Sequence, residues 1–538
     1  MTYSKDATQI TQAALEAAVD NKDFPAFNGA YMEFLKRFDS FNQSYSTGPT
    51  EVQSHNAIFG HKGFFLKQTN NEQGVQLLAN AREVAKVMES IPITDRLEFL
   101  AILEKKVEKY QDAIMTTITA DTGKPIELSK GEMGKGKEWF DYARDEAEKQ
   151  LGNKHTGKLT NRLKPQGAVQ VIGAYNYPYA LAIGGIVGAL TAGNGAIVSA
   201  PLKAPNWVFP FVEAAKEASL EFAEQAKAQN KPYADALAKV APNIIQYSVG
   251  VNANMTRDAD VVHFVGGDKV GEIIRTSRGR KPTILEMGGS NVVTVMKSGL
   301  EKMPADKMAE TIYNAFGPAT GQRCTAPRFL CVQEGAEAVT DALKALCDHG
   351  PAADEIGNPF KKGIKMGPLV DRGAHQKMKE AIALAHELGA EVHGKLEVSN
   401  NIVPLASSED SYWVNPIVID WTKVDTRNPE NARKLNDCFK DEIFGPLVHI
   451  VHPVKDLSEA IATTKQLDNH GLAAAIFTND EADVARFERE VSVTSLAVNG
   501  APKDQSPRGA HGHPGLATIG GDNHFVMYAN KSTTARFL

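Results

Sequence analysis

Several residue groups in this chain have the types and spacing to do covalent chemistry. Cys324 closes the stretch Gly321-Gln322-Arg323-Cys324 and is followed by Thr325. This polar, glycine-containing loop follows a helical stretch and precedes an apolar strand, a setting that leaves a thiol accessible. Thiolate is the reactive form, so backbone N–H groups or a cation nearby are expected to lower the thiol pKa. Cys331, Cys347 and Cys438 lack such surroundings and read as small buried hydrophobes. Glu286 ends an apolar run, two residues before Gly288-Gly289. Glycines there let backbone approach a ligand closely. A carboxylate desolvated at that point has a raised pKa and suits a general base, the bland alternative being a salt-bridged strand-end Glu. Asn176, before Tyr177-Pro178, can donate to a developing oxyanion or simply cap a helix. Asp441-Glu442-Ile443-Phe444-Gly445-Pro446 adds a carboxylate that could bind a ligand. A nucleophile, an oxyanion donor and a base together make an acyl-transfer constellation, which means thiol chemistry on a carbonyl.

The elements that must hold these residues alternate. Helical stretches are expected at about Ala7–Asn21 and Phe27–Phe38, with Phe41–Thr50 as a linker. From Gly74 to Glu148 the apolar spacing is helical, with Val84, Val87, Met88 and Ile91 on one face. Strands then alternate with helices: strands at Gly167–Ala174, Ala196–Ala200, Asn243–Val249, Val261–Val265 and Thr283–Glu286, with a helix at Asn206–Gln229. That order implies a parallel, doubly wound sheet whose ligands sit at the carboxyl ends of its strands. Gly266-Gly267-Asp268-Lys269-Val270-Gly271 opens a helix and could hold a phosphate on its N-terminus, although it has no GxGxxG and fits an ordinary strand-to-helix turn as well. A second series of strands and helices follows Val292–Met296.

Length and composition bound the rest. A chain of 538 residues is expected to hold two to four domains. A net charge of −6 gives no basic field for nucleic acid or an anionic membrane. Four cysteines without a CxxC pair point to free thiols in a reducing cytoplasm. The polar start reads as no secretory signal, and the apolar run Tyr177–Leu190 is shorter than the roughly 20 residues of a spanning helix. His511, His513 and His524 fit no standard zinc spacing and are expected at the surface, so no metal site is expected.

Taken in order, these motifs resemble the aldehyde dehydrogenase superfamily, from about Ala81 to the C-terminus. Val171–Pro178 resembles the family's strand ending in Asn-Phe-Pro, and Phe264–Gly271 its Phe-Thr-Gly-Ser-x-x-Val-Gly. Leu285–Gly289 resembles its Glu-Leu-Gly-Gly box, Gly321–Cys324 its cysteine box, and Glu442–Pro446 its Glu-Ile-Phe-Gly-Pro. The resemblance implies an α/β fold with a Rossmann-type cofactor domain, an α/β catalytic domain and a β-arm for oligomerisation. It divides the chain into a helical extension at 1–60, a cofactor domain at 61–285 with part of 480–500, a catalytic domain at 286–480, and an arm built from 155–165 and 504–538. It implies oxidation of an aldehyde to the acid with NAD(P). Cys324 would attack the carbonyl, Asn176 and the Cys324 N–H would hold the oxyanion, and Glu286 would activate water. Tyr175, Lys203, Gly266, Gly267, Val270, Met287, Glu442 and Phe444 would meet the cofactor.

Departures from the family pattern carry information. Ala200-Pro201-Leu202-Lys203 stands where the family often has Lys-Pro-Ser-Glu, and a cation at Lys203 would attract a 2′-phosphate, which favours NADP over NAD. Gly267 replaces a serine and Tyr175 a common tryptophan. Pro507-Arg508-Gly509 departs from Pro-Phe-Gly. Tyr175, Tyr179, Arg323, Thr325 and the Asn499–Gly512 stretch are the expected pocket-shaping residues. The alternatives are an acylating enzyme that uses coenzyme A, against which Glu286 argues, and a non-catalytic binding protein of the same fold. The expected partners are a small aldehyde and further copies of the chain, as a homodimer or homotetramer, with no nucleic acid and no membrane.

Overall fold

The computed structural model describes residues 4–46, 52–156, 159–370, 372–407, 412–468, 471–502, 507–508, 511–512 and 518–535. Two sheets organise them. The first has five parallel strands in the order Thr283–Glu286, Val261–Val265, Ala168–Ile172, Gly195–Ala200, Ile245–Val249. Its three inner strands are buried along their whole length, as a parallel sheet covered by helices on both faces requires. The helix Pro178–Thr191 is almost wholly buried against it, so the apolar run there is core. The second sheet has seven strands in the order Glu391–His393, Ile417–Asp420, Leu447–Ile450, Phe329–Val332, Val292–Val295, Ala473–Phe477, Ser495–Val498. All its pairs are parallel except the first. Ser495–Val498 therefore belongs to this sheet and not to the five-stranded one.

The two sheets are joined in series. Thr283–Glu286 ends the first, and five residues later Val292–Val295 begins the second. Asn176, Gly266 and Glu286 thus follow the carboxyl ends of strands. Cys324 and Glu442 precede Phe329–Val332 and Leu447–Ile450, so the second sheet offers the amino ends of its strands. The carboxyl-end rule expected from the sequence holds for the first sheet only.

Local signals set most helix ends. Ser4 and Asp23 cap Lys5–Asp20 and Phe24–Leu35, accepting from the N–H groups of Ala7 and Ala26. Asn70 and Gln73 form a reciprocal capping box on Asn71–Met88 at 2.9 and 3.0 Å. Gly123, at φ +71°, ends Ile93–Thr122.

The first residues are not purely helical. Asp39–Ser44, which overlaps the start of the linker expected at Phe41–Thr50, is a short helix, and Val52–Asn56 pairs with His61–Leu66 as a hairpin. The strand Val52–Asn56 is polar and has no apolar alternation to announce it. This N-terminal region packs on the rest of the chain. Phe41 meets Phe209 at 5.3 Å and Phe27 meets Phe59 at 5.3 Å. The Tyr31 hydroxyl donates to Asp121 Oδ1 at 2.7 Å, and Asn206 donates to the same carboxylate through its backbone N–H at 2.9 Å and its amide at 2.7 Å.

In the tail, Ala529–Ala535 runs antiparallel to Leu159–Pro165, with Lys154–Thr156 on the other side of that strand. The tail strand therefore pairs with an internal segment and does not fold back as a hairpin of its own. His524 is fully buried, which corrects its expected place at the surface. Its ring lies 4.7 Å from Trp139 and bonds the Gly184 carbonyl at 3.2 Å. The side chain of His511 and all of His513 lie outside what is described. Among the described residues no cluster could hold a metal ion, and no helix is long and apolar enough to cross a membrane.

Burial raises the Asp121 pKa to about 7, while the Tyr31 hydrogen bond pulls it down. Tyr31→Phe removes a donor from the charged form. It should cost about 1–3 kcal/mol above pH 7 and less below it, where the protonated acid needs that donor less. A guanidinium midpoint equal to wild type at pH 8 would remove this role.

Candidate active site

The strand Thr283–Glu286 delivers Glu286 to the gap between the sheets. The side chain is 1% exposed, its Oε1 has no hydrogen-bond partner among the described residues, and burial pushes its pKa up to about 7. A carboxyl of this kind exchanges protons near neutrality, as the base reading requires, and the salt-bridged alternative is not what the structure has. The Gly266 N–H donates to the Glu286 carbonyl at 3.0 Å, which ties the glycine turn to the same strand end.

Cys324 sits half-buried in a loop under backbone tension. Ala319, Thr320 and Gly321 are consecutive left-handed residues at φ 57°, 55° and 66°. Non-glycine residues there cost on the order of 1–3 kcal/mol each. The bonds that hold them are Ala319 N–H to the Lys365 carbonyl at 2.9 Å and Thr320 Oγ1 to the Gly367 carbonyl at 2.7 Å. A Cβ on Gly321 would run into the Gly445 backbone, so only glycine fits. The surroundings of the Cys324 thiol favour its neutral form. Burial raises its pKa, the charges of Glu286 and Glu442 raise it further, and Arg328 and its own N–H only partly oppose them. The lowered pKa expected from the sequence is therefore reversed. The other three cysteines are unpaired, and Cys331 and Cys347 are buried, in line with a structural part.

Asn176 is brought to this loop. Its amide donates to the Gln322 carbonyl at 3.1 Å, two residues before Cys324. An amide nitrogen carries two N–H groups, so this bond orients the side chain and uses one of them. No helix-cap bond from this segment is formed at Pro178–Thr191. Tyr175 donates to Gln322 Oε1 at 3.3 Å, meets Phe444 edge-on at 6.1 Å, and lies beneath the Lys203 ammonium, 5.0 Å from the ring centre. Glu442 packs against Gly288, where a Cβ would collide with its carboxylate. Gly267 caps the helix Asp268–Arg278, with open space where a Cβ would stand. Val270, in the first turn, is 47% exposed, and Met287 packs beneath Gly271. Tyr175, Asn176, Lys203, Glu286, Cys324, Glu442 and Phe444 are thus linked through contacts around the gap between the sheets. Tyr179 does not shape it: it is 1% exposed and packs on Trp207 and Phe211. Thr325 is buried, and 503–506 and 509–510 lie outside the described residues.

Four further residues bind the cleft together. Arg328, 2% exposed, pairs with Glu442 at 2.9 Å and donates to the carbonyls of Gly321, Arg323 and Gly445 at 3.1, 3.0 and 3.0 Å. Asn291 donates to the carbonyls of Cys324 and Ala326 at 2.7 and 2.8 Å. Lys124 and Glu132 form a buried ion pair. Lys124 donates to the Asn176 carbonyl at 2.9 Å and lies over the Tyr177 ring, while Glu132 accepts from the N–H groups of Tyr179 and Ala180 at 2.8 and 3.0 Å. Glu132 thus meets the positive end of Pro178–Thr191, and the pair grips the Asn176 turn from both sides. The only sequence signal for Arg328 is a charge inside Thr325-Ala326-Pro327-Arg328-Phe329-Leu330.

The model of the aldehyde dehydrogenase family matches residues 46–530. The N-succinylglutamate 5-semialdehyde dehydrogenase of Novosphingobium aromaticivorans is 26% identical over 482 residues, covering 87% of this chain and 91% of its own. Two solved structures share the fold at 20% identity. Glyceraldehyde-3-phosphate dehydrogenase from Methanocaldococcus jannaschii, complexed with NADP, has a TM-score of 0.72 and covers 90% of this chain and 98% of its own. Betaine aldehyde dehydrogenase from Staphylococcus aureus, in complex with NAD+, has a TM-score of 0.75 and covers 94% and 95%.

Breaking a buried ion pair from one side leaves the other charge uncompensated and costs about 3–5 kcal/mol. Glu132→Gln and Lys124→Met should each lower stability by that order, and the double variant by less than their sum. Additive losses in a double-mutant cycle would show that the two groups do not act as a pair.

Proposed function

This chain belongs to the aldehyde dehydrogenase family, and we propose that it oxidises an aldehyde to the carboxylic acid through Cys324, with NAD(P) as hydride acceptor. The observation that carries the reading is a buried Glu286 whose Oε1 has no hydrogen-bond partner among the described residues, whose pKa is about 7 and whose charge acts on Cys324. A neutral thiol needs a base, and this carboxylate is at the right place and poise. The sulfur attacks the aldehyde carbon as its proton passes to Glu286. The oxygen that gains charge is met by the second Asn176 N–H and the Cys324 N–H. A nicotinamide held by Gly266, Gly267, Lys203, Glu442 and Phe444 would supply the hydride acceptor, so that the carbon bound to Cys324 is oxidised to a thioester. Glu286, having released its proton, then deprotonates water. The water oxygen attacks the acyl carbon, the C–S bond breaks, and the acid departs.

The cofactor side fits such a group. The open N-terminus at Gly267 suits a pyrophosphate, Glu442 and Phe444 face Tyr175 across the cleft, and Lys203 is exposed just past the strand Gly195–Ala200. Lys203 supports NADP as the preferred cofactor, through its charge. The solved relatives bound to NADP and to NAD+ show that this fold accommodates both. The four unpaired cysteines support a reducing cytoplasm. The β-arm of Lys154–Thr156, Leu159–Pro165 and Ala529–Ala535 is a small sheet that supports a dimer or larger assembly, since such ribbons gain most from a partner.

Cys324→Ala should abolish NAD(P)H formation from every aldehyde, and activity of the wild type should rise with pH through about 7 as Glu286 ionises. Because the folded-state pKa is raised above the unfolded one, burying Glu286 costs stability above pH 4.5, fully so above pH 7, on the order of 3 kcal/mol. Glu286→Gln should therefore be inactive in acyl release yet have a higher Tm than wild type at pH 8, with the difference shrinking toward pH 5. An active Gln variant would rule out the base. NADP should exceed NAD in kcat/KM by about tenfold, as one charge-assisted contact allows, and Lys203→Glu should reverse the order; an unchanged ratio would remove Lys203 from cofactor choice.

A further inference from the structure

The helices Lys5–Asp20 and Phe24–Leu35 precede residue 46, where the match to the family begins, yet they reach the segment that holds the Cys324 loop. Asn358 is the point of contact. Its amide nitrogen donates to the Glu16 carbonyl and to Asp20 Oδ1, both at 2.9 Å, and its Oδ1 accepts from the Phe360 N–H at 3.1 Å. An amide nitrogen carries two N–H groups, so both go to the helix Lys5–Asp20. Lys361 pairs with Asp20 at 2.8 Å, and the buried Phe360 ring meets Phe27 at 6.3 Å.

The far half of the same segment grips the Cys324 loop. The carbonyls of Lys365 and Gly367 accept from the Ala319 N–H at 2.9 Å and from Thr320 Oγ1 at 2.7 Å. The Val370 N–H donates to Gln322 Oε1 at 2.9 Å, and the Gln322 carbonyl is the acceptor that orients Asn176. The two halves are closed on each other. The N–H groups of Lys365 and Met366 donate to the Glu355 carbonyl at 2.7 and 2.9 Å, and the Gly357 N–H donates to the Met366 carbonyl at 3.2 Å. A hold on Asn358 is therefore a hold on the bonds that keep Ala319 and Thr320 left-handed, a conformation that persists only where the surroundings over-determine it.

A second line of contact runs beside the first. Gln12 donates to Thr116 Oγ1 at 2.7 Å, and the Tyr31 hydroxyl to the Thr117 carbonyl at 3.3 Å. Both acceptors lie near the end of Ile93–Thr122, which leads through Gly123 to Lys124, the donor to the Asn176 carbonyl. Gly123 and Gly367 touch through their backbones, since a Cβ on Gly367 would run into the Gly123 carbonyl. The N-terminal helices thus hold both segments that meet at this junction, one leading to Asn176 and the other to the Cys324 loop.

We propose that the N-terminal helices set the position of the Cys324 loop, and that Asn358 is the positioning residue that passes their hold to Ala319, Thr320 and Gln322. This rests on the reading of Cys324 as nucleophile and Asn176 as oxyanion donor. Asn358 acts through the loop, so its effect belongs in kcat and in the opening of the loop rather than in cofactor binding.

The test uses the full chain with Asn358→Asp, and with Asp20→Asn and Asn358→Asp combined. The single change sets a carboxylate against Asp20 and the Glu16 carbonyl. The double change restores a donor opposite an acceptor and the original net charge. Hydrogen exchange of residues 316–324 is read by mass spectrometry, and kcat and KM are measured with butanal and benzaldehyde and NADP. Asn358→Asp should speed exchange at 316–324 and lower kcat, each by about tenfold, as loss of a charge-assisted bond predicts. KM for NADP should stay within about twofold, because Gly266, Gly267 and Lys203 belong to the other sheet. The double variant should recover most of both losses. Exchange at 316–324 equal to wild type in Asn358→Asp overturns the proposal, and so does faster exchange there with kcat unchanged. Exchange raised throughout the chain and not recovered by the double variant also overturns it, because that marks a part in folding alone. If wild type turns over neither aldehyde, the aldehyde reading fails separately. Exchange at 316–324 then decides: raised in the single variant and restored in the double, it supports the hold on the loop, and unchanged, it overturns it.

Discussion

The geometry of the cleft depends on one buried guanidinium. Arg328 gathers Gly321, Arg323, Glu442 and Gly445 onto a single side chain. Each partner lies on a loop that enters the seven-stranded sheet, and each loop carries a group the cleft needs. A buried cation is tolerated only when its donors are satisfied, so the energetic demand of Arg328 becomes a positional demand on the loops. The planar fork of arginine is what allows one residue to fix four acceptors in defined directions; a lysine ammonium would supply a charge without that geometry. Asn291 repeats the logic on a smaller scale by holding the carbonyls on either side of Thr325.

This frame permits strain that an isolated loop would relax. Three left-handed residues precede Gln322, and Glu286 is held in a dry place where its charged form is disfavoured. Both are costs accepted by the folded state and offset by packing elsewhere. Electrostatics in the cleft then oppose a resting thiolate: burial and two carboxylates hold the proton on sulfur.

Much of this was legible in the sequence, and the part that was not has a common cause. Strand ends at Val261–Val265 and Thr283–Glu286 were readable because short apolar runs bounded by Gly and Pro carry their own signal. Cys324, Glu286, Asn176 and Glu442 were readable because each sits in a motif with glycine or proline nearby. Arg328, Lys124, Glu132 and Asn291 were not: their meaning lies in partners far along the chain, with Arg328 and Glu442 separated by 114 positions. The hairpin beginning at Val52 was missed because its first strand is polar and gives no alternation. The thiol pKa was misjudged because composition shows which charges lie near in sequence, whereas Glu286 and Glu442 arrive from elsewhere in the fold.

The order of the two sheets explains why the chemistry sits where it does. A parallel sheet offers helix N-termini and open loops at its carboxyl ends, which suits a phosphate-bearing ligand. The five-stranded sheet uses that end for Asn176, Gly266 and Glu286. Because Glu286 runs on to Val292 through only five residues, the second sheet must present its amino ends to the same gap. Loops entering a sheet are shorter on freedom when the strand behind them is fully buried, as Phe329–Val332 and Leu447–Ile450 are. The cleft therefore joins a ligand-accommodating edge to a rigidly anchored one, with Cys324 on the rigid side and Glu286 at the seam. The short connection Met287–Asn291 thus ties the strand that ends at Glu286 to the sheet beside the Cys324 loop, where Asn291 holds the Cys324 carbonyl.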